Sequence, residues 1–419
     1  MTIQRTPFVL IASTLATLAA SPAHATDGYF LNGIGAKAKG AAGVAIAQPQ
    51  DALSIAANPA AATELGERLD VGFEIFVPNR GATISGNGAG LNGSFSGNGA
   101  NPFVLPEFGY VRQLSDRVAL GIAVYGNGGM NTVYKANPFA SFGATGPAGI
   151  DLKQIFITPT VAVKLAEGQS IGVSPIAVVQ GFRATGIAPF SAASLNPGSF
   201  SDRGTDWSAG GGVRVGYLGQ FSDAVSIGAF YQSKIWAGKF DKYAGLFAQG
   251  GGFDVPASYG VGLAVKPSAA LTIAADVKRI EYSDIQSVGN PLSRLFTGEP
   301  LGAQDGPGFG WRDITAWKLG VTYVASDRWT LRTGYGHSGN PVPGSETLLN
   351  ILAPGVVSHH LTGGATYTTG SGVELTGYVM HAPKQTVRGA GSIPAPYGGG
   401  EADISLGETS FGLSAGFRF

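Results

Sequence analysis

The closing stretch Phe411-Gly412-Leu413-Ser414-Ala415-Gly416-Phe417-Arg418-Phe419 alternates apolar residues with small or polar ones, the mark of a strand with two unlike faces. The same period of two recurs upstream. Trp317, Leu319, Val321 and Tyr323 alternate with Lys318, Gly320 and Thr322. Val213, Val215 and Tyr217 alternate with Gly212, Arg214 and Gly216, and Val118, Leu120, Ile122 and Val124 repeat the spacing. Fourteen such segments can be drawn, near 69–86, 107–114, 117–126, 154–165, 169–182, 205–221, 224–234, 258–267, 270–281, 315–325, 328–338, 359–369, 372–381 and 410–419. Short turns at Ser115-Asp116, Glu167-Gly168, Ser222-Asp223, Pro267-Ser268, Ser326-Asp327 and Gly370-Ser371 alternate with long Gly/Pro/Asn-rich connections.

An even strand count with short turns on one side and long loops on the other is what an outer-membrane barrel requires. In lipid every backbone N–H and C=O needs a partner, so a spanning sheet must close on itself. The expected fold is therefore all-β: a 14-stranded antiparallel transmembrane β-barrel over residues 69–419. A soluble sandwich also alternates, but its loops would not sort by length. The apolar face then meets lipid, and Lys164, Arg214, Asp276, Lys278, Lys318, Arg332 and Glu374 face the lumen. An Arg or Lys at mid-depth on the lipid side would cost about 2–4 kcal/mol. Tyr110, Tyr125, Tyr217, Tyr231, Tyr323, Trp329, Tyr335 and Tyr367 fall near strand ends, where an interfacial girdle belongs.

Composition agrees. Glycine is abundant at 66 residues, charged residues are scarce at 13%, and the net charge is zero, so nothing points to nucleic acid. Without cysteine there are no disulfides and no thiolate metal sites. Residues 1–25 read as a signal peptide: Arg5, an apolar run from Phe8 to Ala20, then Ala23-His24-Ala25 as a cleavage site. That run falls short of the roughly 20 residues that a spanning helix needs.

Residues 26–68 break the alternation. This Ala/Gly-rich stretch has too few large apolar groups to bury a core of its own, so it reads as a small, mostly helical hatch held inside the barrel. Asn58 is placed to cap a helix with Pro59 at its first position and Ala60 following, and 51–57 offers another helical turn or two.

Other motifs carry little. Gly88-Ala89-Gly90-Leu91-Asn92-Gly93 matches a dinucleotide fingerprint but lies in a loop with no helix after it. His359-His360 and His337-Ser338 are adjacent strand positions that point to opposite faces, which argues against a metal site and a Ser–His catalytic pair. No cofactor, metal or catalytic residue is expected.

Gly28-Tyr29-Phe30-Leu31-Asn32, Asn58-Pro59-Ala60, Trp329-Thr330-Leu331-Arg332-Thr333-Gly334-Tyr335 with Pro341-Val342-Pro343, Tyr378-Val379-Met380-His381 and the final Phe417-Arg418-Phe419 occur in that order. Together they resemble the FadL/OmpP1/TodX family of outer-membrane transporters for long-chain fatty acids and other hydrophobic compounds. The resemblance spans the mature chain. It implies passive uptake through an outer-loop groove, a lumenal pocket and a lateral exit gated by the hatch. It also places Arg183 and Arg312 at basic positions of the pocket, suited to a carboxylate. For each the other reading is an ion pair at a loop base, and Asp313 adjoins Arg312. Tyr29 and Phe30 are ligand-contact candidates, or simply packing residues. Gly126, Gly128 and Gly129 mark a strand kink beside the lateral opening, or else the start of a loop.

The groove would draw on Leu195, Phe200, Trp236, Phe240, Leu246 and Phe247, and the spacing of Phe240, Tyr243, Leu246 and Phe247 predicts a short amphipathic helix. Expected partners are a hydrophobic small molecule, outer-membrane lipid or lipopolysaccharide, and the barrel assembly machinery through Phe419. A monomer in the outer membrane of a Gram-negative cell is expected. A lipid-acting barrel enzyme, a general porin or an adhesin are the alternatives.

Overall fold

The computed structural model describes residues 27–419, so the expected signal peptide lies outside the described residues. Fourteen long strands form the wall. They are β1 (Arg68–Ser85), β2 (Phe103–Gln113), β3 (Val118–Asn131), β4 (Gly149–Ala166), β5 (Gln169–Thr185), β6 (Asp206–Ser222), β7 (Val225–Gln232), β8 (Ser258–Ser268), β9 (Leu271–Ile280), β10 (Ile314–Val324), β11 (Trp329–Ser338), β12 (His359–Thr368), β13 (Glu374–Val387) and β14 (Glu401–Arg418). Each pairs antiparallel with its sequence neighbours, and β14 returns to β1 from Arg418↔Arg68 through Glu401↔Ser85, which closes the barrel. The sheet therefore has no terminal edge strand, as lipid demands.

The alternation has the expected sense. Val71, Phe73, Ile75, Leu361, Leu375, Val379, Phe411 and Leu413 point outward as an exposed apolar band, while Asp70, Glu74, Arg214, Asp276, Lys318 and Arg332 are buried on the inner face. Several strands outrun their sequence signal: β3 continues from 126 to Asn131, β13 to Val387, and β14 begins at Glu401. In Glu401–Ser410 the outward residues no longer alternate as apolar, because wall that rises above the hydrocarbon layer has no lipid to meet.

Residues 27–67 lie against the inner wall as short helical turns at Ala36–Lys39, Ala52–Ala56 and Pro59–Glu64. Glycines on the wall make this close approach possible. A Cβ at Gly216 would come within 2.1 Å of Asn58 Oδ1, and one at Gly228 within 2.1 Å of the Ile46 carbonyl oxygen. Asn58 is fully buried. Its Oδ1 accepts from the Ala60 amide at 3.1 Å, and its Nδ2 donates to the carbonyls of Ile46 and Tyr217, both at 2.8 Å. One side chain thus caps a helical turn and ties it to the wall.

The helix expected around Phe240–Phe247 is replaced by two separate turns, Asp241–Tyr243 and Ala248–Gly251. Between them the Gly245 amide donates to Ser199 O at 2.8 Å, pinning the chain to the neighbouring loop where a helix would have to continue.

Candidate functional site

Three buried ion clusters hold the N-terminal segment. Asp27 meets Lys278 at 2.8 Å and Lys318 at 3.0 Å; Lys39 meets Glu74 at 2.8 Å and Glu107 at 3.0 Å; Lys37 meets Glu374, which also receives Arg68 at 2.9 Å. Burial alone would raise the Asp27 carboxyl, but the ammoniums of Lys278 and Lys318 outweigh it and hold it at about 2. The charges that β9, β10 and β13 carry into the lumen are thereby matched to this segment.

Above Asp27 the segment joins the wall directly. β2 and β3 pair only from Gln113↔Ala119 to Glu107↔Tyr125. Beyond that level β2 stays with β1 through Phe103↔Phe76, while β3 stays with β4 through Asn131↔Asp151, so the two strands part. The parting begins at a bulge between Gly126 and Gly128. There Phe30 bridges Gly128, the Leu31 amide donates to Asn127 O at 3.0 Å, and the Gly129 amide donates to Tyr29 O at 3.1 Å. Gly128 has φ +128°, and a Cβ on it would lie 1.9 Å from Tyr29 O. A residue other than glycine cannot occupy this place without displacing the segment.

A cavity of about 410 Å³ lies behind the parting. Its walls are Tyr29 to Leu31, Phe103 to Pro106 of β2, the bulge of β3, Trp311, Ala353, Met380 and Leu406, and its charged groups are Lys39, Glu74, Arg80, Asp151, Lys153 and Glu408. Val104 lines it too and is 64% exposed on the outside of the barrel, so the cavity reaches the outer face between β2 and β3. Tyr29 stands at the centre of an aromatic group, with ring centroids 5.2 Å from Phe30, 5.3 Å from Tyr282 and 5.9 Å from Trp311.

A second, narrower space of about 50 Å³ lies among the long loops, between Phe139, Phe190, Phe200, Leu246, Phe247 and Leu292. Leu352 lines this groove and its neighbour Ala353 lines the cavity. The dividing segment is held by Thr132 Oγ1 on Leu352 O at 2.7 Å and by Tyr134 OH on Ile351 O at 2.8 Å.

A closed barrel of this strand count around an inner N-terminal segment meets a matching family model, described as outer membrane protein transport protein (OMPP1/FadL/TodX), over residues 13–386. The chain belongs to this family. Solved structures with the FadL/TodX fold superpose over nearly their whole length. The Pseudomonas putida toluene transporter TodX is 18% identical with a TM-score of 0.69, covering 94% of this chain and 100% of that one. A Pseudomonas aeruginosa FadL homologue is 17% identical with a TM-score of 0.69 and the same coverage. The Ralstonia pickettii toluene transporter TbuX is 17% identical with a TM-score of 0.65, covering 93% and 99%. A search of curated proteins finds no match.

Against the FadL/TodX frame, the expected site residues divide. Tyr29 and Phe30 line the cavity, and Gly126, Gly128 and Gly129 form its bulged margin inside β3. The two arginines do not join them. Arg183 is exposed between buried Phe182 and Ala184, and Arg312 is exposed beside buried Trp311, because neighbouring residues of extended chain face opposite ways. Asp313 pairs with Arg279 at 3.1 Å instead of Arg312. In the groove, Phe200, Leu246 and Phe247 line the space and Phe240 backs it, 5.6 Å from the Phe182 ring. Leu195 and Trp236, 65% and 63% exposed, point away from it. Sequence reasoning missed Trp311, Arg80 and Glu408. Trp311 was one residue from the expected Arg312, and the inward parity of β10 at Ile314 and Ala316 did not extend back through the irregular chain before it.

Proposed function

We propose that this protein is a passive outer-membrane channel for hydrophobic small molecules, long-chain fatty acids or aromatic hydrocarbons among them. Cargo enters the loop groove, passes the Ile351–Ala353 divide into the cavity, and leaves sideways between β2 and β3 into the membrane. The observation that carries this reading is the apolar cavity extending to the outer face where the wall strands part. Release into lipid suits cargo that would not cross an aqueous pore, and closing the wall elsewhere keeps ions out.

In this reading residues 26–68 are the hatch and residues 69–419 the barrel. The hatch's Tyr29 and Phe30 contact cargo, and the bridge to Gly128 lets a change at the cavity reach the hatch. The chemistry is binding and passage, with no bond made or broken, so the protein acts as a channel and not as an enzyme. Outward aromatics such as Trp329 and Tyr367, with ring centroids 5.0 Å apart, suit the lipid boundary. Phe419, 77% exposed, is the proposed contact for the barrel assembly machinery.

Purified protein in detergent should bind radiolabelled hydrophobic probes, tested as dodecanoate and ethylbenzene. Cells carrying it should take up at least one of them faster than cells without it. Failure to bind either probe or to speed entry of either would remove the reading.

A further inference from the structure

The cavity holds a carboxyl oxygen that has no hydrogen-bond partner. Glu408 lies on the inner face of β14, opposite Pro78 of β1 and Ala382 of β13, and is 5% exposed. It lines the cavity, and its Oε2 has no hydrogen-bond partner. The His360 imidazole Nε2, itself without a hydrogen-bond partner, stands 3.9 Å away. The cation placed to neutralise it is Arg80, two residues beyond Pro78 on the same inner face of β1 and so its diagonal cross-strand neighbour. Yet Arg80 bonds elsewhere. Its guanidinium donates to the Asn131 carbonyl, to Asn131 Oδ1 and to Asn101 Oδ1, and its flat face covers the Phe103 ring 5.5 Å away. These bonds hold it at the margins of the parted wall with no ion pair to Glu408, and leave its Nε without a hydrogen-bond partner.

A buried carboxyl oxygen without a hydrogen-bond partner is costly, and a ligand that satisfies it recovers that cost on binding. We propose that Glu408 is the specificity-determining residue of the cavity. It selects cargo that is apolar along its body and ends in a neutral hydrogen-bond donor, such as a phenol or a fatty alcohol. A carboxylate would leave water for a cavity whose cations already have partners: Arg80 is bonded to Asn101 and Asn131, Lys39 to Glu74 and Glu107, and Lys153 to Asp151. The inference rests on the cavity being the cargo site and narrows what that site accepts.

The test compares 4-ethylphenol, ethylbenzene and 4-ethylbenzoate, alike in body and different in head, for binding to the full-length protein. Wild type should bind the phenol about tenfold or more tighter than the hydrocarbon, and the benzoate weakest. Glu408→Leu should bring phenol and hydrocarbon to within about twofold by losing phenol affinity alone, while Glu408→Gln keeps most of the preference. Equal binding of phenol and hydrocarbon by wild type, or a preference that survives Glu408→Leu, overturns the inference and leaves the channel reading standing. Benzoate binding tighter than phenol overturns it too. No binding of any of the three overturns both. The wild-type comparison needs no variant to fold, and Glu408→Gln guards the leucine result.

Discussion

Phe30 bridges Gly128 as an added strand would, taking the edge of β3 that β2 leaves above Tyr125. The wall therefore has a seam whose upper pairing is supplied by the N-terminal segment. In the proposed channel this ties the interruption of the wall to the position of the N-terminal segment.

Gly128→Val should break this register. Its Cβ would collide with Tyr29 O, so amide exchange at Leu31 and Gly129 should quicken by roughly tenfold or more. Gly126→Ala is the contrast. Its nearest contact is Leu105 Cδ2 at 3.7 Å, and exchange should stay near wild type.

Asp27→Asn should loosen the hatch from below. It strips the shared carboxylate from Lys278 and Lys318, and removing one member of a buried ion cluster costs roughly 3–5 kcal/mol. A cysteine-labelling assay within residues 29–34 should show faster modification, and adding Lys318→Gln should recover part of the loss.

Hatch docking should also depend on pH, in opposite senses from two aspartates. Burial, with Asp70 alongside, raises Asp51 to about 6 from its usual 3.8, so its contribution is full below about pH 4 and is lost as pH rises through 6. Asp27, held at about 2, contributes fully above about pH 4 and loses that contribution as pH falls through 2. Each is worth on the order of 2 kcal/mol. Hydrogen exchange of residues 29–34 should be slowest near pH 4 after correction for its intrinsic pH dependence, and Asp51→Asn should remove the loss of protection above it.

Trp311 and Arg312 separate the cavity from its surroundings. Trp311→Ala should weaken binding of hydrophobic probes about tenfold, since it removes a cavity-wall aromatic anchored through Nε1 to Asn350 Oδ1 at 2.6 Å. Arg312→Ala should leave acidic and neutral probes within about twofold of wild type, because its side chain is exposed outside the cavity.

The wall was legible because lipid imposes period two on every spanning strand: Phe411 and Leu413 could be assigned outward from spacing alone. The glycines of the bulge were legible as a bend, since a strand interior gives glycine few other uses. The arginines were not. Arg183 and Arg312 flank buried aromatic residues, Phe182 and Trp311, and a one-residue error in extended chain turns a side chain inside out. Glu408 was hidden for a different reason. Above the lipid β14 loses its outward apolar signal, so nothing in Leu406-Gly407-Glu408 announced which residue faced the lumen.

The lateral exit is tested most directly by tying the seam shut. The chain has no cysteine, so Leu105→Cys and Gly126→Cys introduce one addressable pair across the parting of β2 and β3. A short, reducible thiol crosslinker applied to intact cells should stop uptake of a hydrophobic probe while groove binding persists, and reductant should restore uptake. Uptake at an unchanged rate through the crosslinked protein would contradict the account.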